Sequence, residues 1–330
     1  MKYDLENINA RFGIGSQKWQ EMKNNPLVDE KVIPFSVADM EFKLAPEITE
    51  GLKKFIDDNI LGYAGTNKKY RENVCKWQQK HHDFTVDEKW LVETHSVVNA
   101  FFTAVKAFTQ KGDGVMLFTP VYYPMYKAIE INQRKLVEIP LINNGMTYDI
   151  DWDLFTKKAK AIDTKMLILC SPHNPCGRIW TREELTKISE ICLANDILVV
   201  ADEIHADLIM PGFKHVSYGT ISKEALEHSI ICTAPSKTFN LAGMQLSNVF
   251  IANENYRNLF KAEQATDADF ACSILSYEAC RLAYEYGEEW LTEVINIIDT
   301  NKKINLNRMV DNFERAVMNY RPMLGGERFM

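Results

Sequence analysis

Five short apolar runs, each about as long as one β-strand, recur through the middle of this chain, and helical patterns separate several of them. They are Val115–Phe118, Met166–Cys170, Ile197–Ala201, Ile230–Thr233 and Asn248–Ala252. Polar residues do not alternate with apolar ones inside runs such as Ile197–Ala201, which is typical of strands buried on both faces. The pattern predicts an α/β fold with a mostly parallel central sheet and helices on both of its faces.

Apolar periodicity also predicts the helices around these strands. Residues 46–60 begin with Pro46, which suits a first helical position, and then carry apolar residues at helical spacing. Residues 97–110 show the same spacing, and Thr181–Glu184 has the sequence of a capping box that opens a further helix. From about residue 287 the spacing predicts one long helix that leads into a second, smaller domain.

Composition excludes several classes of protein. The 330 residues, 46% hydrophobic and 25% charged, are typical of a globular protein, and the length favours roughly two domains. A net charge of −7 argues against a broad nucleic-acid surface. The seven cysteines include no C-x-x-C pair, which favours reduced thiols. The chain shows no apolar signal region and no run near the ~18 residues of a membrane span, so we expect a cytoplasmic protein without a membrane partner.

Polar clusters follow three of the apolar runs. Ser171–Gly177 follows the second run, Asp202–His205 the third, and Ala234–Thr238 the fourth. In open α/β sheets, ligands bind beyond the carboxyl ends of the strands. We therefore expect an amide, a carboxylate with an imidazole, and an amine to meet at one edge of the sheet.

These groups suit one kind of chemistry when they act together. The amine of Lys237 can form an imine with an aldehyde, and the carboxylate of Asp202 can keep a heteroaromatic nitrogen protonated, which makes a pyridine ring an electron sink. The Asn174 amide can bind a phenolic oxygen. Ser96–Asn99, at the expected start of a helix, offers backbone amides for a phosphate.

Each of these residues also has an ordinary structural explanation. A single lysine is most often a surface charge, Asp202 could cap a helix, and His205 could be a structural histidine. Asp202, Glu203 and His205 could ligate a metal, but their spacing matches no metal motif, so no metal is expected. The ordered set, in which each member follows its own strand, is what favours a shared site.

Three segments of this set resemble a known family: SPHNPCG at 171–177, DEIHAD at 202–207 and APSKTFNLAG at 234–243. They resemble the fold-type I enzymes that depend on pyridoxal 5′-phosphate (PLP), in the aminotransferase class I/II superfamily. Three further segments resemble its MalY/PatB-type cystathionine β-lyase group: Val37–Phe42, Gly62-Tyr63 and Thr119–Pro124. The resemblance extends from about residue 1 to about residue 320.

The resemblance implies an aspartate aminotransferase-like fold and PLP as the cofactor. It implies a carbon–sulfur β-lyase of amino-acid metabolism that cleaves cystathionine or another S-substituted cysteine to a thiol, pyruvate and ammonia. It also divides the chain into three regions. Residues 1–45 would contribute to the small domain and the active-site rim, 46–286 would form the PLP-binding domain, and 287–330 would form the linking helix and an incomplete small α+β domain.

The resemblance also implies a role for each site residue. Lys237 would carry the cofactor as a Schiff base and act in catalysis with Asp202, which would pair with the pyridine N–H. Asn174 would bind the phenolic oxygen, and His205 would stand where many aminotransferases have a tyrosine. Tyr122 would stack on the ring. The residues implied to hold the phosphate are Ser96, Val97, Val98 and Ser236, together with a catalytic Tyr63 from the partner subunit of a homodimer.

The chain departs from the family pattern in two places. Ser96 stands where the group usually has glycine, and a positive φ there would cost on the order of 1 kcal/mol. The sequence also stops where relatives continue, and neither Arg321 nor Arg328 matches the arginine that grips the substrate carboxylate. We therefore expect a truncated C-terminus and impaired activity. Two alternatives stay open: a PLP-dependent aminotransferase, and a truncated remnant that still binds PLP.

Overall fold

The computed structural model describes residues 2–320 except 6, 8, 10, 12, 24–33, 35, 36, 146 and 270, and for residues 23 and 305–320 it describes the backbone alone. Arg321, Arg328 and the tail that follows Met323 lie outside the described residues. No helix in this part of the chain is long and apolar enough to cross a membrane.

The part of the chain given above contains twelve α-helices: α1 (Gln17–Lys23), α2 (Pro46–Asp58), α3 (Lys68–His82), α4 (Val97–Phe108), α5 (Tyr123–Ile131), α6 (Trp152–Ala159), α7 (Arg182–Ala194), α8 (Lys223–Glu227), α9 (Pro235–Thr238), α10 (Glu254–Thr266), α11 (Ile274–Tyr286) and α12 (Glu288–Tyr320). It also contains nine strands: β1 (Leu91–Thr94), β2 (Gly114–Thr119), β3 (Lys135–Pro140), β4 (Ile142–Asn143), β5 (Tyr148–Asp149), β6 (Thr164–Cys170), β7 (Leu198–Asp202), β8 (Ser229–Thr233) and β9 (Ser247–Phe250).

Seven of these strands form one sheet in the order β1-β9-β8-β7-β6-β2-β3. All neighbours from β8 to β3 are parallel, whereas β9 runs antiparallel to both β8 and β1. The prediction of a mostly parallel sheet is confirmed. Because Asp202 pairs with Cys170 on one side and Cys232 on the other, the carboxyl ends of β6, β7 and β8 lie side by side.

The hydrophobic core lies in two layers, one on each face of this sheet. Along β6, Met166 and Ile168 belong to one layer, and Leu167 and Leu169 belong to the other. Both faces of the strand are therefore buried away from solvent, which explains why polar residues do not alternate with apolar ones in its sequence. Burial of each such side chain contributes about 1.5–3 kcal/mol to folding.

The expected helices are present at nearly the expected positions. Helix α2 begins at Pro46, and α12 begins one residue after the expected start. The capping box at α7 is formed in full, since Thr181 accepts from the backbone of Glu184 and the Glu184 side chain bonds back to Thr181. The division into regions 1–45, 46–286 and 287–330 stays a prediction.

Candidate active site

A cavity of ≈ 540 Å³ lies beyond the carboxyl ends of β6, β7 and β8. Among the residues that line it are nine of the sequence-predicted site residues: Ser96, Val97, Val98, Tyr122, Asn174, Asp202, His205, Ser236 and Lys237. The loops that follow three neighbouring parallel strands must open at the same edge of the sheet. Asn174, Asp202, His205, Ser236 and Lys237 come together in this way. The other four follow β1 and β2, which run in the same direction as β8 and end at the same edge. The individual roles of all nine stay predictions.

Lys237 lies in the short helix α9, directly after β8. Its Nζ donates a hydrogen bond of 2.8 Å to the carbonyl of Ala38. Burial lowers the pKa of Lys237, while the charges of Asp39 and Asp202 oppose that shift. A lysine with a lowered pKa is more often neutral near pH 7 and can then act as a nucleophile or as a base.

Asp202 ends strand β7 and is 4% exposed. Its Oδ1 accepts a hydrogen bond of 3.1 Å from the backbone N–H of Ile204. Burial raises the pKa of Asp202 to about 7, against the lowering effects of that N–H and of Lys237. Burial also lowers the pKa of His205 to about 4, so this imidazole is neutral at pH 7.

The turn that carries Asn174 is fixed by contacts of its neighbours. The backbone N–H of Asn174 donates to the Cys170 sulfur at 3.3 Å. The ring Nε2 of His173 lies 2.9 Å from the carbonyl of Pro120, and its backbone N–H donates to Arg178. Cys170 lines the cavity as well. The sequence suggests this residue only as part of a strand, but its sulfur also holds the backbone of Asn174 in place.

The expected phosphate turn has an unstrained backbone. Ser96 caps helix α4 with φ −165° and ψ 163°, and its Oγ accepts from the N–H of Asn99 at 3.1 Å. The condition for the cost of a positive φ is not met, because extended backbone is open to every residue type. The serine instead stabilises the first turn of α4 as an N-cap.

Replacing Ser96 by glycine should therefore bring no gain in cofactor affinity. Replacing it by alanine should lower the free energy of unfolding by about 1 kcal/mol through loss of the cap. Urea denaturation and a PLP titration of the apo-protein measure the two effects. Clearly tighter PLP binding by Ser96→Gly would contradict the extended backbone at this turn.

The tyrosines occupy different places. Tyr122 is half-buried in the cavity wall, and burial raises its pKa. Tyr63 is fully exposed and lines a separate recess of ≈ 280 Å³ with residues 61–64 and 271–275. One chain by itself does not place Tyr63 in the cavity.

Four cavity residues lie outside every segment that the sequence singles out: Gln17, His95, Gln245 and Leu246. His95 precedes the expected phosphate turn, and its Nδ1 lies 2.8 Å from Asp269. Val37 and Ala38 also line the cavity. The family resemblance of the Val37–Phe42 segment already indicated that these two residues belong to the site.

That segment is held against the cavity by ion pairs and by a side-chain amide. Arg11 and Lys18 contact Asp39 at 2.7 Å and 2.8 Å. Burial opposes ionisation of Asp39, but these two cations outweigh it and lower its pKa to about 2. The Asn240 side chain bonds both the N–H and the carbonyl of Met40 at 2.9 Å. The Val37–Phe42 segment is therefore tied directly to the turn that carries Lys237.

The donor set fits PLP. Asp202 is a buried carboxylate for which the structure shows one backbone donor and no ion pair within the described residues. A buried carboxylate with a raised pKa is stabilised by a cationic donor, and a protonated pyridine nitrogen is such a donor. The cavity also has an amine at Lys237 for the aldehyde and the N-terminus of α4 for the phosphate.

Comparison with known proteins agrees with this fit. The family model described as "Aminotransferase class I and II" matches residues 30–277. The chain belongs to this family. Among curated members, it is 38% identical over 291 residues to "Cystathionine beta-lyase PatB" of Bacillus subtilis (strain 168), a match that covers 88% of this chain and 75% of that protein.

Solved structures of the family share the fold. Cystalysin from Treponema denticola, which contains a pyridoxal 5′-phosphate cofactor, superposes with a TM-score of 0.90 at 43% identity, over 92% of this chain and 77% of that one. The PLP-bound C–S lyase from Staphylococcus hominis gives a TM-score of 0.84 at 30% identity, over 94% of this chain and 77% of that one. The predicted fold class is confirmed.

Proposed function

We propose that this protein is a PLP-dependent carbon–sulfur β-lyase that cleaves cystathionine or another S-substituted cysteine to a thiol, pyruvate and ammonia. The main observation in favour of this proposal is that Lys237, Asp202 and Asn174 line one cavity at three adjacent strand ends. Relatives of this chain include a protein named cystathionine β-lyase, at 38% identity, and a structurally similar C–S lyase, which supports β-elimination over transamination.

PLP, when bound, supplies an aldehyde for the substrate amine and a ring that accepts the electron pair left at the α-carbon. Asp202 holds the proton on the ring nitrogen. Lys237 takes the α-proton on Nζ, and burial of this amine makes its neutral, basic form more populated. The thiolate of the substrate leaves from the β-carbon. Lys237 is therefore both the anchor and the base.

The remaining cavity residues bind and orient. Backbone N–H groups of Val97 and Val98, at the N-terminus of α4, hold the phosphate together with Ser96 and Ser236. Tyr122 would stack on the ring face, and Asn174 would donate to the phenolic oxygen. His205, neutral at pH 7, would border the ring without adding a positive charge to the cavity.

The active protein is proposed to be a homodimer in which Tyr63 reaches the partner's phosphate. Its full exposure, beside the exposed Ile60 and Leu61, supports this arrangement. Tyr63→Phe should weaken PLP binding about tenfold through loss of one hydrogen bond to a charged group, measured by titration of the apo-protein. A monomer in analytical ultracentrifugation, together with equal PLP affinity in wild type and in the Tyr63→Phe variant, would contradict the shared site.

We also propose that the protein works in the cytoplasm. The structure has seven free cysteines, a state that reducing compartments maintain. The three regions 1–45, 46–286 and 287–330 are proposed as rim segment, cofactor domain and small-domain segment, with the last region beginning one residue before α12.

The test of function is turnover of cystathionine by the PLP-loaded protein, with and without a 2-oxo acid. A lyase forms pyruvate, ammonia and homocysteine without any oxo acid. An aminotransferase forms amino-acid product only when the oxo acid is present. Pyruvate formation that depends strictly on the oxo acid, or no turnover of any S-substituted cysteine, would overturn the proposal.

The raised pKa of Asp202 predicts how the apo-protein responds to pH. Between the ordinary carboxyl value of 3.8 and about 7, folded Asp202 keeps a proton that the unfolded chain has released. This group therefore makes the folded state less stable as pH rises, by about 1.4 kcal/mol per pH unit within that window. Asparagine does not titrate, so the free energy of unfolding of Asp202→Asn should rise relative to that of wild type as the pH increases from about 4 to about 8. Urea denaturation of both apo-proteins across this range measures the difference, and a constant difference would show that Asp202 is already ionised at low pH.

A further inference from the structure

The turn after β8 is anchored residue by residue to different parts of the fold. The Lys237 amine reaches the Ala38 carbonyl, and Asn240 bonds Met40. Phe239 is fully buried and its ring packs against the rings of three residues: Trp77, Tyr284 and Trp290. In the proposed reaction, the Lys237 side chain must release the cofactor and then take a proton, so it changes its bonding partner. The residues next to Lys237 must therefore hold the backbone of the turn in place.

The anchor of the remaining residue, Thr238, is a buried carboxylate. Thr238 is fully buried, and its Oγ1 donates to Oδ2 of Asp207 at 2.6 Å. Two side chains of α3 bond the other oxygen of Asp207: Trp77 Nε1 donates to Oδ1 at 3.0 Å, and His82 Nε2 lies 2.7 Å from it. The carboxylate thus joins the residue next to Lys237 to a helix from a distant part of the chain.

The surroundings of Asp207 favour the ionised form of its carboxyl group. Burial opposes its ionisation, but the hydrogen bond and charge of His82 and the donors of Thr238 and Trp77 outweigh burial and lower its pKa. The charges that act most on Lys237 belong to Asp39, Asp202 and Lys18. Asp207 is not among these charges, whereas its bond to Thr238 connects it to the backbone next to Lys237.

We propose that Asp207, acting through Thr238, is a positioning residue that fixes the Lys237 turn for proton transfer. The proposal rests on the proposed function of Lys237 as anchor and base. Hydrogen bonds of this length between a hydroxyl and a carboxylate are charge-assisted and therefore strong and directional. Loss of this bond lets the turn shift, and misplacement by about 1 Å costs up to about a hundredfold in rate.

The test uses Thr238→Val, which keeps the shape of the side chain and removes the hydroxyl, and Thr238→Ser, which keeps the hydroxyl. In the PLP-loaded protein, Thr238→Val should lower kcat about tenfold to a hundredfold with little change in KM. It should also move the pH midpoint of the visible absorption of the bound cofactor, because the amine that carries the cofactor is displaced. Thr238→Ser should restore both readouts to near wild type.

A second variant controls for the loss of any buried hydroxyl. Tyr70→Phe removes the bond of the buried Tyr70 hydroxyl to Asn248, outside the Lys237 turn, and should lower stability while kcat and the absorption midpoint stay unchanged. The proposal is overturned if Thr238→Val keeps wild-type kcat and midpoint, or if Tyr70→Phe changes them as much. Failure of the proposed function looks different: wild type itself would then show no cofactor absorption or no β-elimination.

Discussion

Lys237→Ala is expected to abolish β-elimination while the protein stays folded. Loss of the base alone removes about 10²–10⁴-fold in rate, and the same substitution removes the covalent anchor of the cofactor. The side chain is only partly buried, and within the described residues its amine bonds the Ala38 carbonyl alone, so the fold should tolerate alanine. Rates of pyruvate formation and thermal unfolding of the same preparations measure the two effects.

The control is Lys223→Ala, which removes an exposed lysine at the start of α8 and should leave the rate unchanged. Borohydride reduction of the PLP-loaded wild type, followed by peptide mass analysis, should place the label on Lys237. A label on another lysine, or substantial activity in Lys237→Ala, would refute the assignment.

Asp202→Asn is expected to lower kcat by on the order of 10²–10³-fold, a loss similar to that from removing one preorganised electrostatic group at a reacting centre. The variant keeps the shape of the side chain but cannot hold a proton on the ring nitrogen by its charge. The neighbouring Glu203→Gln is the matched control. Glu203 is also buried. Its Oε1 accepts the backbone N–H of Tyr218 at 2.7 Å, and its Oε2 lies 3.2 Å from His215 Nε2, so loss of the carboxylate should affect stability more than rate.

Steady-state kinetics and thermal unfolding of both variants separate these outcomes. We expect Asp202→Asn to lose kcat with little loss of stability, and Glu203→Gln to show the reverse. Equal losses of kcat in the two variants would argue that Asp202 acts only as a buried structural carboxylate.

Much of the fold could be predicted because its signals are local. The five apolar runs coincide with β2, β6, β7, β8 and β9, and the Thr181 capping box forms as its sequence indicates. The strands β1 and β3 have no comparable apolar run, and the reversed direction of β9 could not be seen, because strand direction depends on which neighbours a strand meets.

The candidate site was predictable to the same extent. The polar clusters after β6, β7 and β8 marked Asn174, Asp202 and Lys237, since any parallel sheet gathers such clusters at one edge. Whether Ser96 would be strained could not be decided from the sequence, because the backbone conformation of a turn does not follow from the residue type that relatives use there. Tyr63 lies apart from the cavity of its own chain, and its role stays a prediction.

The sequence by itself determined the sheet type, the edge at which ligands bind and the residues most suited to hold PLP. It could do so because short stretches of consecutive residues indicate where a buried strand lies and where it ends. Only the tertiary structure decided which groups surround Lys237. The Ala38 carbonyl and the Lys237 amine are 199 positions apart, and Asp207 meets Thr238 and Trp77 across 31 and 130 positions. The pKa values of Asp202 and Lys237 likewise follow from burial. Burial and long-range contacts depend on how the whole chain packs, so no local pattern records them.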